Sequence, residues 1–175
     1  MRTDAGVQGR RDSDGLAAVV ELCRGWPEFL AAVSQVLAQA DRDISSLAAR
    51  CLACGSCCEF DLSGQRLMVS AGELAYLLEE PPPRPGQAPL HRCPYQVGPL
   101  CTARRRRPLG CRTFFCRGGL GEQAAAVYER HHTSLRRLHE EGGIPYIYVE
   151  LTDAVAQLSR APQFGPEMSG DARRI

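Results

Sequence analysis

The chain of 175 residues has no lysine and no asparagine, and its aromatics amount to 6%, with a single tryptophan. All 21 basic residues are therefore arginine, so neither a lysine Schiff base nor a P-loop lysine is available. Codons for both missing residues are rich in A and T, and their joint absence points to a GC-rich genome of bacterial type. The 20 acidic residues leave a formal net charge of +1, so a partner recognised through overall charge, nucleic acid above all, is not expected. No apolar run approaches the roughly 18 residues of a membrane span. The stretch Leu16 to Val20 is too short and wrongly flanked for a secretory signal. The expected location is the cytoplasm, where thiols stay free or bind metal.

Cysteine is what the chain has in excess. Cys51-Leu-Ala-Cys54-Gly-Ser-Cys57-Cys58 places four thiols in eight residues, and Cys93, Cys101, Cys111 and Cys116 follow. The total of nine would leave one thiol over in any disulfide framework. A chain of this length also buries a core without staples, so metal is not needed merely to fold it. Thiolates are soft ligands that select zinc, iron-sulfur clusters or cuprous ion over magnesium or calcium. Two residues between cysteines let both sulfurs face one centre, as in structural zinc sites. The triplet Cys51, Cys54 and Cys57 also resembles the opening of the bacterial ferredoxin run, which a cysteine followed by proline completes; Cys93-Pro94 could play that part from a distance. Side chains of adjacent residues diverge, so Cys57 and Cys58 favour either two centres or one centre plus a free thiol. Spacing chooses neither between zinc and an iron-sulfur cluster nor which cysteines share an ion.

Other polar residues read more plainly. Cys23 is expected to be a small buried hydrophobe, His91 a surface-loop residue, His131 a hydrogen-bonded core residue, and His132 and His139 solvent-facing. The run Arg104 to Arg107 reads as a solvated loop. Its functional readings are a phosphate or nucleic-acid contact, or positive charge that lowers nearby thiol pKa values and balances an anionic thiolate site.

The fold class predicted is mainly α with minor β, a loop-rich metal-binding cysteine core packed on two or three helices. Residues 1–14 read as a disordered lead-in, 15–160 as a single domain with its cysteine-cluster core at 51–116, and 161–175 as a disordered tail. Trp26, Phe29, Leu30, Val33, Val36, Leu37, Ala40, Ile44 and Leu47 recur at helical steps, with Pro27 suited to the first turn and the helix running on into Cys51. Arg66 to Val69 reads as a short strand. Ser70-Ala-Gly-Glu73 is a capping box that opens a second helix with Leu74, Leu77 and Leu78 on its apolar face. Pro81 to Pro89 makes an extended linker, and Cys93 to Cys116 is mostly loop with a turn at Gly98-Pro99. A third helix spans about Glu122 to Glu141 and closes at Gly142-Gly143. Ile144 to Leu151 reads as an edge strand because of Pro145, followed by a short helix near Asp153 to Leu158.

Cys51-x-x-Cys54-x-x-Cys57-Cys58, Cys93-Pro94, Cys101, Arg107-Pro108-x-x-Cys111-Arg112 and Cys116 together resemble the YkgJ-type cysteine-cluster family, described as zinc- or iron-chelating. The resemblance covers about residues 51–116. It implies that Cys51, Cys54, Cys57, Cys58, Cys93, Cys101, Cys111 and Cys116 are metal ligands. The expected function is a metal-binding protein whose eight thiolates hold zinc or an iron-sulfur cluster. The alternatives are an iron-sulfur electron-transfer protein or a cluster-dependent transferase, since relatives of this type occur joined to methyl transfer on protein lysines. The residues themselves offer no Gly-rich cofactor loop after a strand, no serine elbow and no paired carboxylates in a clear site.

Overall fold

The computed structural model describes residues 5–47, 54–60, 64, 66–83, 92–114 and 121–159, and for 5–14 the backbone alone. Cys51, Cys116, His91, most of the proline linker and the tail from 161 lie outside the described residues. The structure is mainly α with minor β, six α-helices and two small two-stranded sheets among those residues.

Helix α1 (Ala5–Arg24) was not expected as a helix. Its first ten residues fall in the stretch read as a lead-in, where glycines and acids weaken local propensity. Beyond them Leu16, Val19, Val20 and Cys23 are buried at helical spacing, a signal present in the sequence but only two turns long. Packing against α3 rather than propensity stabilises it.

Helix α2 (Pro27–Ser46) matches its predicted stripe. Phe29, Leu30, Val33, Leu37, Ala40 and Ile44 are buried, each large side chain contributing about 1.5–3 kcal/mol. It ends at Leu47, whose N–H returns to the Ile44 carbonyl at 3.0 Å. The helix therefore stops short of Cys51 rather than running into it.

Strand β1 (Met68–Ser70) leads directly into α3 (Ala71–Leu78). The capping box forms as predicted: the Glu73 N–H donates to Ser70 Oγ at 3.3 Å and the Ser70 N–H to Glu73 Oε2 at 2.8 Å. A hairpin of β2 (Gln96–Val97) and β3 (Leu100–Cys101) turns at Gly98-Pro99, with Gly98 at φ 58°. A short helix α4 (Leu109–Thr113) follows, inside a segment predicted to be mostly loop. Five residues opened by a proline give no periodic signal.

Helix α5 (Gly121–Glu141) packs on α2 and α4. It buries Ala124, Val127, His131, Leu135 and His139. His139 was expected in solvent; it is 1% exposed. Its ring makes an edge contact with Phe29, centroids 5.1 Å apart, and Nδ1 donates to the Pro145 carbonyl at 3.2 Å. His132 is half-buried rather than solvent-facing, its Nε2 2.6 Å from the Tyr146 hydroxyl. His131 is the hydrogen-bonded core residue predicted, 2.9 Å from Asp43.

Strand β4 (Tyr148–Glu150) pairs antiparallel with β1, Val69 facing Val149. It feeds α6 (Leu151–Leu158), capped by the Glu150 carboxylate on the Asp153 N–H at 2.9 Å. Each strand of this sheet thus ends on the cap of a helix, which fixes where α3 and α6 leave it. No helix among the described residues is long and apolar enough to cross a membrane.

Candidate functional site

The described cysteines fall into two environments. Cys23, on α1, is fully buried in the apolar core, and burial pushes its thiol up to about 12. The other six come from three separate segments, 54–58, 93–101 and 111, and of these Cys58, Cys93, Cys101 and Cys111 pack against that core.

Glycine sets the first segment. Gly55 has φ 77°, a conformation that side chains disfavour, and a Cβ there would lie 2.7 Å from Gln96 Nε2 and 3.0 Å from Pro99 Cα. The chain turns at this point into a 3-10 turn, Ser56–Cys58. There the neighbouring thiols of Cys57 and Cys58 perturb each other's ionisation.

The second segment docks through backbone. The Cys93 N–H donates to the Cys58 carbonyl at 2.9 Å, and Glu59 and Arg92 beside them form an isolated bridge and a 2.6 Å ion pair. The Cys93 thiol lies near enough to Cys58 to raise it. Gln96 Nε2 reaches back to the Gly55 carbonyl at 3.2 Å, and Gln96 lies opposite Cys101 across the hairpin. Cys101 is thereby held over the first segment.

Cys111 arrives on α4, whose position depends on Arg112. Nε of Arg112 donates to the Arg107 carbonyl at 2.6 Å and Nη2 to the Arg105 carbonyl at 2.8 Å, while Nη1 contacts the Asp41 carboxylate on α2. The arginine run is therefore no simple solvated loop. Arg104 and Arg105 are exposed, but Arg106 pairs with Glu79 and lies 4.8 Å over the Tyr76 ring. Arg107 donates to the carbonyls of Arg104 at 3.1 Å and Cys111 at 3.4 Å.

The electrostatics oppose ionising these thiols one at a time. Cys57 is raised by the Cys58 thiol, then by burial. Cys58 lies at about 12: the Cys57 thiol lowers it, but the Cys93 thiol, burial and the neighbouring Cys101 outweigh that. Cys101 and Cys111 are raised chiefly by burial, against which the Arg107 charge acts on both and the Arg104 charge on Cys101. Cys54 is exposed, 3.4 Å from the Ser56 hydroxyl.

Of the eight predicted ligands, Cys57, Cys58, Cys93, Cys101 and Cys111 lie near enough to perturb one another, Cys54 neighbours Cys57, and Cys51 and Cys116 lie outside the described residues. Among the described residues no group of three or more His, Cys, Asp or Glu is arranged so that it could hold a metal ion. Thiol chemistry fits a soft ion, and two polar atoms at the same place, Tyr95 Oη and Gln96 Oε1, are buried without a hydrogen-bond partner, as at a site built for something further. Asp41, Gln96 and Arg112 escaped sequence reasoning as site residues; of these only Arg112 carried a signal, its place beside Cys111. Comparison of the chain with protein-family models, with curated proteins and with solved structures gave no match.

Proposed function

We propose that the protein binds a soft metal, zinc or the iron of an iron-sulfur cluster, in the reducing cytoplasm. Its ligands are the thiolates of Cys54, Cys57, Cys58, Cys93, Cys101 and Cys111, with Cys51 and Cys116 completing the set that the YkgJ-type resemblance implies. The observation that carries this reading is the meeting of Cys58 and Cys93, joined through their backbones although distant in sequence. The freedom of all seven described cysteines supports it, since a disulfide scaffold would have paired such neighbours. A cation that takes the place of the thiol protons relieves the mutual repulsion that resists their ionisation.

The test is elemental analysis and an absorption spectrum on protein purified without oxygen, repeated on C58S and C93S. About two zinc per chain without visible absorption would indicate four-sulfur sites. Iron and sulfide with broad visible absorption would instead indicate a cluster and electron transfer. Metal-free protein from both aerobic and oxygen-free preparations that takes up neither zinc nor iron would refute the proposal.

A further inference from the structure

Tyr128, Tyr146 and Tyr148, three of the chain's five tyrosines, meet beside His132 where α5 lies against the approach to β4. The His132 ring stacks on Tyr128 with centroids 5.4 Å apart and lies 5.0 Å from Tyr148, and Tyr146 stacks on Tyr148 at 6.0 Å. All four rings are half-buried, so the cluster is open to small solutes. His132 Nε2 stands 2.6 Å from the Tyr146 hydroxyl, and in the tautomer protonated at Nδ1 it accepts the phenolic hydrogen. The Tyr148 hydroxyl bonds to that of Tyr128. The two remaining tyrosines have no base beside them: the Tyr76 hydroxyl accepts from Ser34 Oγ at 3.1 Å, and Tyr95 Oη is buried without a partner. Among the described residues, Tyr146 is thus the one tyrosine whose hydroxyl bonds to an imidazole nitrogen.

A phenol that loses an electron becomes a strong acid, so its oxidation is fast where a base within hydrogen-bond reach takes the proton in the same step. Arg136 closes the other route. Its guanidinium lies 5.7 Å from the Tyr146 ring centroid, where its charge disfavours a ring cation that keeps its proton. We propose that Tyr146 is a one-electron donor to peroxyl radicals from solution, with His132 as the base that holds its proton. This activity is independent of the proposed metal site. The peroxyl radical takes one electron from Tyr146 and one proton from solvent and leaves as a hydroperoxide. The phenolic O–H bond breaks and its proton bonds to His132 Nε2, which leaves a neutral phenoxyl radical beside an imidazolium. The imidazolium lies within cation–π reach of the Tyr128 and Tyr148 rings. Ascorbate then returns the electron and the imidazolium returns the proton, so both side chains are restored.

Peroxyl radicals released by a water-soluble azo initiator are the probe, applied to the full chain in air. Freeze-trapped electron spin resonance counts the phenoxyl radical, and peptide mass spectrometry places the oxidation. Tyr146 should be oxidised well ahead of Tyr76, which is half-buried to the same degree but bonded to a serine. H132F keeps the ring stack and loses the base, and its phenoxyl should form about a hundredfold more slowly, the low end of what a positioned base contributes. Added imidazole should restore part of the rate to H132A. Deuterium oxide should slow the wild-type step, because a proton moves with the electron. Y146F should lose the signal, and ascorbate should erase it in wild type. Equal rates in H132F and wild type overturn the proposal. So do oxidation of Tyr76 ahead of Tyr146, a signal undiminished in Y146F, and radicals found on the cysteines alone. Should H132F fail to fold, the order of Tyr146 and Tyr76 within the wild-type chain decides.

Discussion

The Glu73 carboxylate accepts the Leu109 backbone N–H at 2.8 Å across 36 residues of sequence, with the same side chain that closes the capping box at Ser70. One buried group, 2% exposed, therefore holds the start of α3 and the start of α4 together. The position of Cys111, two residues beyond Leu109, follows from this bond.

Glu73→Ala should accordingly cost more than a surface cap. It strands the Ser70 N–H, the Ser70 hydroxyl and the Leu109 N–H, and a loss of about 2–4 kcal/mol is expected in urea unfolding. Amide exchange should rise in 109–113 as well as at the head of α3. A loss confined to α3 would disprove the link.

Gly55→Ala should loosen the cysteine loop without unfolding the core. The left-handed backbone costs an L-residue about 1–2 kcal/mol, and the added methyl meets Gln96 Nε2 and Pro99 Cα. Exchange should quicken in 54–60 and 92–97 while α2 and α5 stay protected. The melting midpoint should fall by a few degrees, and cobalt uptake should weaken.

Cysteine reactivity should divide sharply. Cys54 is exposed and should be the first of the described cysteines alkylated in metal-free protein. Cys23, buried with its thiol held at about 12, should react only on unfolding. Cys23→Ala should leave metal content unchanged and cost about 1 kcal/mol through the small cavity. Mass spectrometry of the labelled peptides decides it, and early labelling of Cys23 would contradict the core assignment.

Two groups give stability a pH dependence in separate windows. Burial holds His139 below the ordinary histidine range, with its bond to the Pro145 carbonyl acting the other way. Unfolding therefore takes up a proton at His139 once the pH falls below about 6.5, and stability declines as pH drops from there. His139→Leu should flatten that limb. The Asp43 carboxyl is lowered, first by its hydrogen bond with His131 and then by Gln39. Its contribution is present above the ordinary carboxylate range and lost as pH falls below about 4. Asp43→Asn should flatten only this second limb. Unfolding free energies measured from pH 7 to pH 3 separate the two.

Sequence alone determined those parts of the protein whose cause is local. The stripe of α2, the box at Ser70 and Glu73, the turn at Gly98-Pro99 and the closure of α5 all arise from interactions within a few residues, which spacing and residue type express directly. What tertiary structure decided is everything that depends on segments meeting. Helix α1 exists through its contact with α3, and His139 is buried because Phe29 and Tyr146 close over the end of α5. A 3-10 turn sets Cys57 beside Cys58, where each perturbs the other's thiol, and one carboxylate from α2 serves Arg107 and Arg112. A charge imbalance of that kind is invisible in a net charge of +1. It arises when residues distant in sequence are brought side by side, and only the fold says which ones are.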